Sequence, residues 1–298
     1  MNMKRIFLYT MLAAGLLASC TNDENLNGPV AAQITAGINQ ATTRVSVDGN
    51  SASFTDGDKI NVVAPDNNTY VYTLQSDDTW SDGNNPYYFQ DTNPVSFQAW
   101  YATATPQGTT ISINTTTQTV TDGWNQWDIL VTPTVTASAS SPTINFTGDY
   151  AFKHIMSQVA LTFKAGDGIS DLTSLTAYTL KGLVTNDTFN TQTCALENET
   201  ATGDVTITGI SGVSGPEYSA TPLILLPQAV TNNQIALEVT YNNQVYKANL
   251  TTPIGGLQEG YSYAYTVTIK NNGLEISDTE IEDWQPATGY QENVEAEL

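Results

Sequence analysis

An apolar period of two runs through this chain and confines it to sheets with one buried face. Ile235, Leu237, Val239 and Tyr241 alternate with Ala236, Glu238 and Thr240. Asn242-Asn243 follows and Val245 to Leu250 returns, which predicts a hairpin. Tyr261, Tyr263, Tyr265, Val267 and Ile269 alternate with Ser262, Ala264, Thr266 and Thr268. Asn272-Gly273 then leads into Leu274-Glu275-Ile276, with residues suited to the positive φ angles of a type I′ turn. Val159, Leu161 and Phe163 show the same spacing, as do Tyr70, Tyr72 and Leu74. Helical spacing is confined to the first twenty residues, apart from one or two turns expected within Ala151 to Gln158. Two β-sandwiches are expected.

The first twenty residues read as a processing signal. Lys4 and Arg5 precede an apolar run, Ile6 to Leu17, which is shorter than a membrane-spanning helix requires. The run ends at Leu17-Ala18-Ser19-Cys20, which resembles a bacterial lipobox, where cleavage before Cys20 leaves a lipid on its sulfur. Residues 1–20 are therefore expected to be a lipoprotein signal peptide, leaving 278 residues, enough for two domains. Removal of Lys4 and Arg5 leaves 7 basic residues against 30 acidic ones, a net charge of −23. Such a surface repels nucleic acid and anionic membranes. Charged residues make up only 13%, so Thr, Asn, Ser and Gln supply the remaining polar surface, as suits strands and turns.

Little in this composition serves catalysis. Cys194 stands alone once Cys20 is lipidated, and a lone cysteine is more often a buried hydrophobe than a reactive thiol. His154 is the only histidine, too little for a familiar zinc cluster or a histidine-based relay. Asp77-Asp78 with Asp82-Gly83-Asn84-Asn85 has the look of a calcium loop. However, Trp80 and Phe89 fall where such a loop places oxygen ligands, so a polar turn is expected. Gly-rich phosphate loops are missing. No enzyme, cofactor or metal site is expected. Trp80, Trp100, Trp124 and Trp127 offer stacking surfaces for sugars, or packing surfaces within a sandwich.

The uncharged stretch Thr132 to Pro142 has few large apolar residues and is expected to pack poorly, as a linker or as a long loop within one sandwich. The expected division is a tether and N-terminal strand over 21–44, sandwiches over 45–145 and 146–284, and a tail over 285–298.

Several segments together resemble the fimbrillin family (FimA/Mfa-like subunits) of Bacteroides-like bacteria. Phe54-Thr55-Asp56-Gly57-Asp58-Lys59-Ile60 is similar to the family's early "F-x-x-G-D-x-I" strand, and Trp127-Asp128-Ile129-Leu130 to its "D-x-L" strand. Phe152-Lys153-His154-Ile155 with Val159-Ala160-Leu161 resembles the "F-x-H" segment and the strand after it. Leu226-Pro227-Gln228 resembles the "P-Q" turn. Gly260-Tyr261-Ser262-Tyr263 and Ile281-Glu282-Asp283-Trp284 resemble the closing pattern. The resemblance implies two tandem transthyretin-like β-sandwich domains. It also implies export as a lipoprotein to the outer membrane, trimming by an arginine-specific protease, and polymerisation by strand exchange with other fimbrial subunits.

Three features suit that scheme. Arg44 is the only arginine after Arg5, so the implied cut falls between Arg44 and Val45. Upstream, Ala32, Ile34, Ala36 and Ile38 alternate with Gln33, Thr35, Gly37 and Asn39 as a half-buried strand that such a cut would release. At the other end, Tyr290, Val294, Ala296 and Leu298 share one parity, with Glu292 the exception, as either a donor strand or an acidic tail. The expected function is a structural and adhesive fimbrial subunit, held by lipid at Cys20 before trimming. The alternative is a monomeric surface lipoprotein that binds a host glycan or protein.

Overall fold

A computed structural model describes residues 28–38, 53–120 and 127–284. Their elements are strands and three short 3-10 turns, and none of them forms an α-helix. Apolar side chains alternate inward along the strands, as the period of two requires. Ile235, Leu237 and Val239 are fully buried, while Glu238 between them is half-exposed.

The first half is organised around one large sheet. Its strands run in the order Lys153–His154, Leu130–Val131, Val95–Tyr101, Lys59–Val63, Thr69–Leu74 and Trp80–Ser81, and Val135–Ala137 also pairs with Val95–Tyr101. Two small pairings lie apart from this sheet, Gln33–Ala36 with Thr143–Phe146 and Val30–Ala31 with Tyr88–Phe89. Ile60, Val62, Phe97, Ile144, Phe146 and Phe152 form the centre of this core.

Two facing sheets make the second half. In one, Ser157–Ala165 runs parallel to Tyr261–Lys270, which continues into Gly273–Asp283. In the other, Leu175–Val184 lies between Thr202–Thr208 and Gln234–Tyr241, and Gln244–Thr251 forms the edge. Phe163, Tyr265 and Val267 from the first sheet meet Tyr178, Leu180 and Leu237 from the second in one core.

A third cluster crosses the seam between the halves. Thr110–Asn114 pairs antiparallel with Asn186–Asn190, and Trp100 and Ile111 pack in one core with Phe189, Ile224 and Trp284. Strand Thr143–Phe146 spans the expected boundary at 145/146, and Lys153–His154 still belongs to the first sheet.

Three local expectations are corrected. Val135–Ala137 within the expected linker is a strand, and Val135, Ala137 and Ala139 are buried. The segment pairs antiparallel with Val95–Phe97, and the Thr132 hydroxyl accepts the Ala99 N–H at 2.9 Å, so its main chain is satisfied by the sheet. The helical turns expected within 151–158 are absent. Lys153–His154 pairs instead with Leu130–Val131, and Ile155 N–H donates to the Ile129 carbonyl. The second hairpin turns on Asn271 and Asn272, one position before the expected pair, and neither takes a positive φ. Asn271 N–H donates to the Asp167 carbonyl, a tertiary contact that sets the turn. The first hairpin has the expected form, with Asn242 at φ 48° and Asn243 at φ 59° joining Gln234–Tyr241 to Gln244–Thr251.

Candidate functional site

The N-terminal strand is seated among the buried residues of the first core. Gln33–Ala36 runs parallel to Thr143–Phe146 with Ile34 beside Ile144 and Ala36 beside Phe146, and Ile38 bridges to Phe152. Ala32 and Ile34 are buried; Ala36 and Ile38 are half-buried. Ile144, Phe146 and Phe152 are completely buried. Removing the strand would expose them, and full burial of a residue of this size is worth about 1.5–3 kcal/mol.

The main chain shows how the strand is held. Gln33 and Gly37 donate to the carbonyls of Pro142 and Phe146, and Phe152 donates to that of Gly37. Odd-numbered residues therefore bond toward Thr143–Phe146. Even-numbered residues face the other way, where Ala32 donates to the Tyr87 carbonyl. Beyond Ala32 that side opens on a groove of about 530 Å³, lined by Thr35, Tyr72, Thr79, Trp80 and Thr147 among others. One neighbour at full length and an open edge make a seat that holds a strand by pairing and side-chain burial.

The motif residues of the first half serve the frame around this seat. Asp58 Oδ2 accepts the Thr55 N–H at 2.7 Å, and Asp58 Oδ1 accepts the Tyr101 hydroxyl at 3.0 Å. Phe54 packs edge-on against Trp80, Tyr101 and Phe152, with ring centroids 5.2–5.3 Å apart. In the second half, away from this seat, Gln228 from the "P-Q" turn accepts the Val184 N–H at 2.7 Å and donates back to the Val184 carbonyl at 3.0 Å.

The acidic stretch forms local turns. Asp77 accepts the Thr79 hydroxyl at 2.6 Å, and hydrogen bonds from Thr79 hold its carboxyl below the usual value. Asp82 accepts the Asn84 N–H at 2.7 Å. Burial pushes the Cys194 thiol up to about 12, which suits a packed side chain rather than a nucleophile. Trp100 is 2% exposed and packs in the seam, so its face is closed to a sugar.

Other expected site residues lie outside the described residues: Cys20, Arg44, Val45, Tyr290, Val294, Ala296 and Leu298. Two arrangements escaped the sequence reading. One is the parallel partner of the N-terminal strand, for which the alternation of Ile144 and Phe146 was the available signal. The other is a contact of His154 with Asp128 and Trp284; all three lie in family motifs, but nothing in their spacing brings them together.

The comparisons with known proteins agree with this architecture. A family model described as fimbrillin-like matches residues 43–284. Over 99% of both chains, the sequence is 28% identical to Fim1C, a candidate fimbrium subunit of Bacteroides uniformis. A candidate cell adhesion protein of Bacteroides uniformis superposes with a TM-score of 0.64 at 22% identity, covering 86% of this chain and 99% of that one. Another from Bacteroides ovatus gives 0.62 at 20% identity, with 86% and 98% covered. These two structures share the fold.

Proposed function

The chain belongs to the fimbrillin-like family, and from that premise we propose that it is a fimbrial subunit that polymerises by strand exchange after proteolytic trimming. The family is one of fimbrial and adhesion proteins rather than enzymes, and its place is the cell-surface fimbrium. In this reading the chain is exported as a lipoprotein carried on Cys20 and cut between Arg44 and Val45. The strand bearing Ala32, Ile34, Ala36 and Ile38 is thereby released. The two sandwich units correspond broadly to 45–145 and 146–284, with Thr143–Phe146 and Lys153–His154 staying with the first. The segment carrying Tyr290, Val294, Ala296 and Leu298 is the donor that refills the vacated seat of the next subunit. Contacts of that kind run head to tail and build open filaments.

One observation carries the reading. The segment from Val30 to Ile38 lies along Ile144, Phe146 and Phe152, yet it is held by one short parallel pairing to Thr143–Phe146 and a two-residue antiparallel pairing to Tyr88–Phe89 rather than inside the main sheet. Such a strand leaves without dismantling the sheet behind it, and the apolar seat it vacates favours a replacement.

The test uses the chain from residue 21, treated with an arginine-specific protease, with and without residues 290–298. Trimmed full-length protein is expected to start at Val45 and give an oligomer ladder on native gels. The tail-deleted protein should remain a folded monomer by circular dichroism and gel filtration. Equal ladders from both proteins would sink tail donation. If the native protein keeps its lipid at Cys20 and forms no oligomers, the monomeric binding protein takes its place.

A further inference from the structure

At the seam, three side chains from distant parts of the chain form one stack. Asp128 Oδ1 lies 2.7 Å from Nδ1 of His154, and their side chains are 9% and 2% exposed. A carboxylate only accepts, so Nδ1 carries the proton and donates. The imidazole lies flat on the indole of Trp284, with centroids 3.8 Å apart and planes within 6°. The main-chain N–H of Trp284 donates to the Gly260 carbonyl, and that of Gly260 to the Met156 carbonyl. His154 sits on the last strand of the first-half sheet, whereas Trp284 directly follows Gly273–Asp283 of the second half. The imidazole is thus the plate between a carboxylate of one half and the last described residue of the other.

We propose that the Asp128–His154–Trp284 stack anchors the root of the C-terminal tail to the N-terminal half, so that tension on the tail is carried across the seam. Among the described residues, the strand before Trp284 pairs with one neighbour, Tyr261–Lys270. An edge strand pulled from its end opens one pair at a time, starting with Asp283 opposite Tyr261. Trp284 blocks that opening at its first step, because leaving requires the indole to give up its stack and its buried place among Trp100, Ile129, Met156 and Leu226. Asp128 supplies the fixed end, since its buried charge-assisted bond orients the ring that Trp284 rests on. The anchor rests on the strand-donor reading for its purpose, but its geometry belongs to the single subunit.

Amide hydrogen exchange on the full chain as a monomer tests this. His154→Phe keeps a stacking ring but loses the bond to Asp128, and Asp128→Asn keeps the shape but loses the charge. Both are expected to speed exchange at least 10-fold in Ile281–Trp284 and Tyr261–Tyr263, with less than 2-fold change in Leu175–Val184 and Gln234–Tyr241. Unchanged exchange at Ile281–Trp284, or an equal rise throughout, would overturn the anchor. If His154→Phe does not fold, Asp128→Asn alone decides by the same criteria. A chain that never assembles yet shows the localised loss would defeat the donor reading and leave the anchor standing.

Discussion

The side-chain amide of Gln118 makes with Ile224 the pair of hydrogen bonds that a neighbouring strand would make. Its Nε2 donates to the Ile224 carbonyl and its Oε1 accepts the Ile224 N–H, each at 2.8 Å and buried. Nearby, the Thr221 hydroxyl donates to the Val120 carbonyl and Thr115 N–H to that of Thr185. A segment of the first half is thereby fastened to the second by side chains acting in place of a sheet.

Gln118→Ala leaves both main-chain groups of Ile224 buried without these partners. The expected cost is about 2–4 kcal/mol, from two unsatisfied buried groups at about 1–3 kcal/mol each, reduced by any water that enters. Denaturant unfolding of the purified chain measures it. A loss below about 0.5 kcal/mol would mean that the bracket is solvated and fastens nothing.

Cys194 should be chemically silent in the folded protein. It is 5% exposed, and burial pushes its thiol up to about 12, so almost no thiolate exists at pH 8. Labelling with iodoacetamide is expected only on unfolding, at the rate of an ordinary thiol in denaturant. Stoichiometric labelling of native protein within minutes would contradict the packing described for this residue.

Acid should weaken, through Asp204, the second-half sheet built on Leu175–Val184. The Lys181 ammonium lies 2.6 Å from its carboxylate and, together with Gly182 N–H, holds its carboxyl below the ordinary 3.8. A folded value below the unfolded one stabilises above pH 3.8, and that stability is lost as pH falls through the folded value. Lys181→Met should therefore flatten the stability profile between pH 5 and 2.5. The difference should be small, because both side chains are more than a third exposed and solvent screens the pair. Denaturant midpoints at several pH values provide the check, and parallel profiles would remove the pair from the account.

Much of the fold was legible because strand alternation is a local property. The run Ile235 to Tyr241 declared its buried face, and Asn242-Asn243 declared its turn, since asparagine tolerates the positive φ that a tight hairpin needs. The linker expected at Thr132 to Pro142 failed for the converse reason. Small uncharged residues pack as well as large ones where a sheet partner takes their main chain, as Val95–Phe97 does for Val135–Ala137, whose Val135 and Ala137 are buried. The seat of the N-terminal strand was half legible: Ala32 and Ile34 announced a buried face but not what covered it.

By itself, then, the sequence determined the all-β class, the inward faces, one turn and the family motifs, because each depends on residues adjacent in the chain. Tertiary structure alone decided that Gln33–Ala36 lies parallel to Thr143–Phe146, that Gln118 grips Ile224, and that His154 joins Asp128 to Trp284. Those partners are separated by about a hundred residues or more in most cases, and alternation specifies a face without specifying its neighbour. The choice falls to the packing of whole sheets, where one register buries Ile144, Phe146 and Phe152 together and a slip of one residue would turn them out.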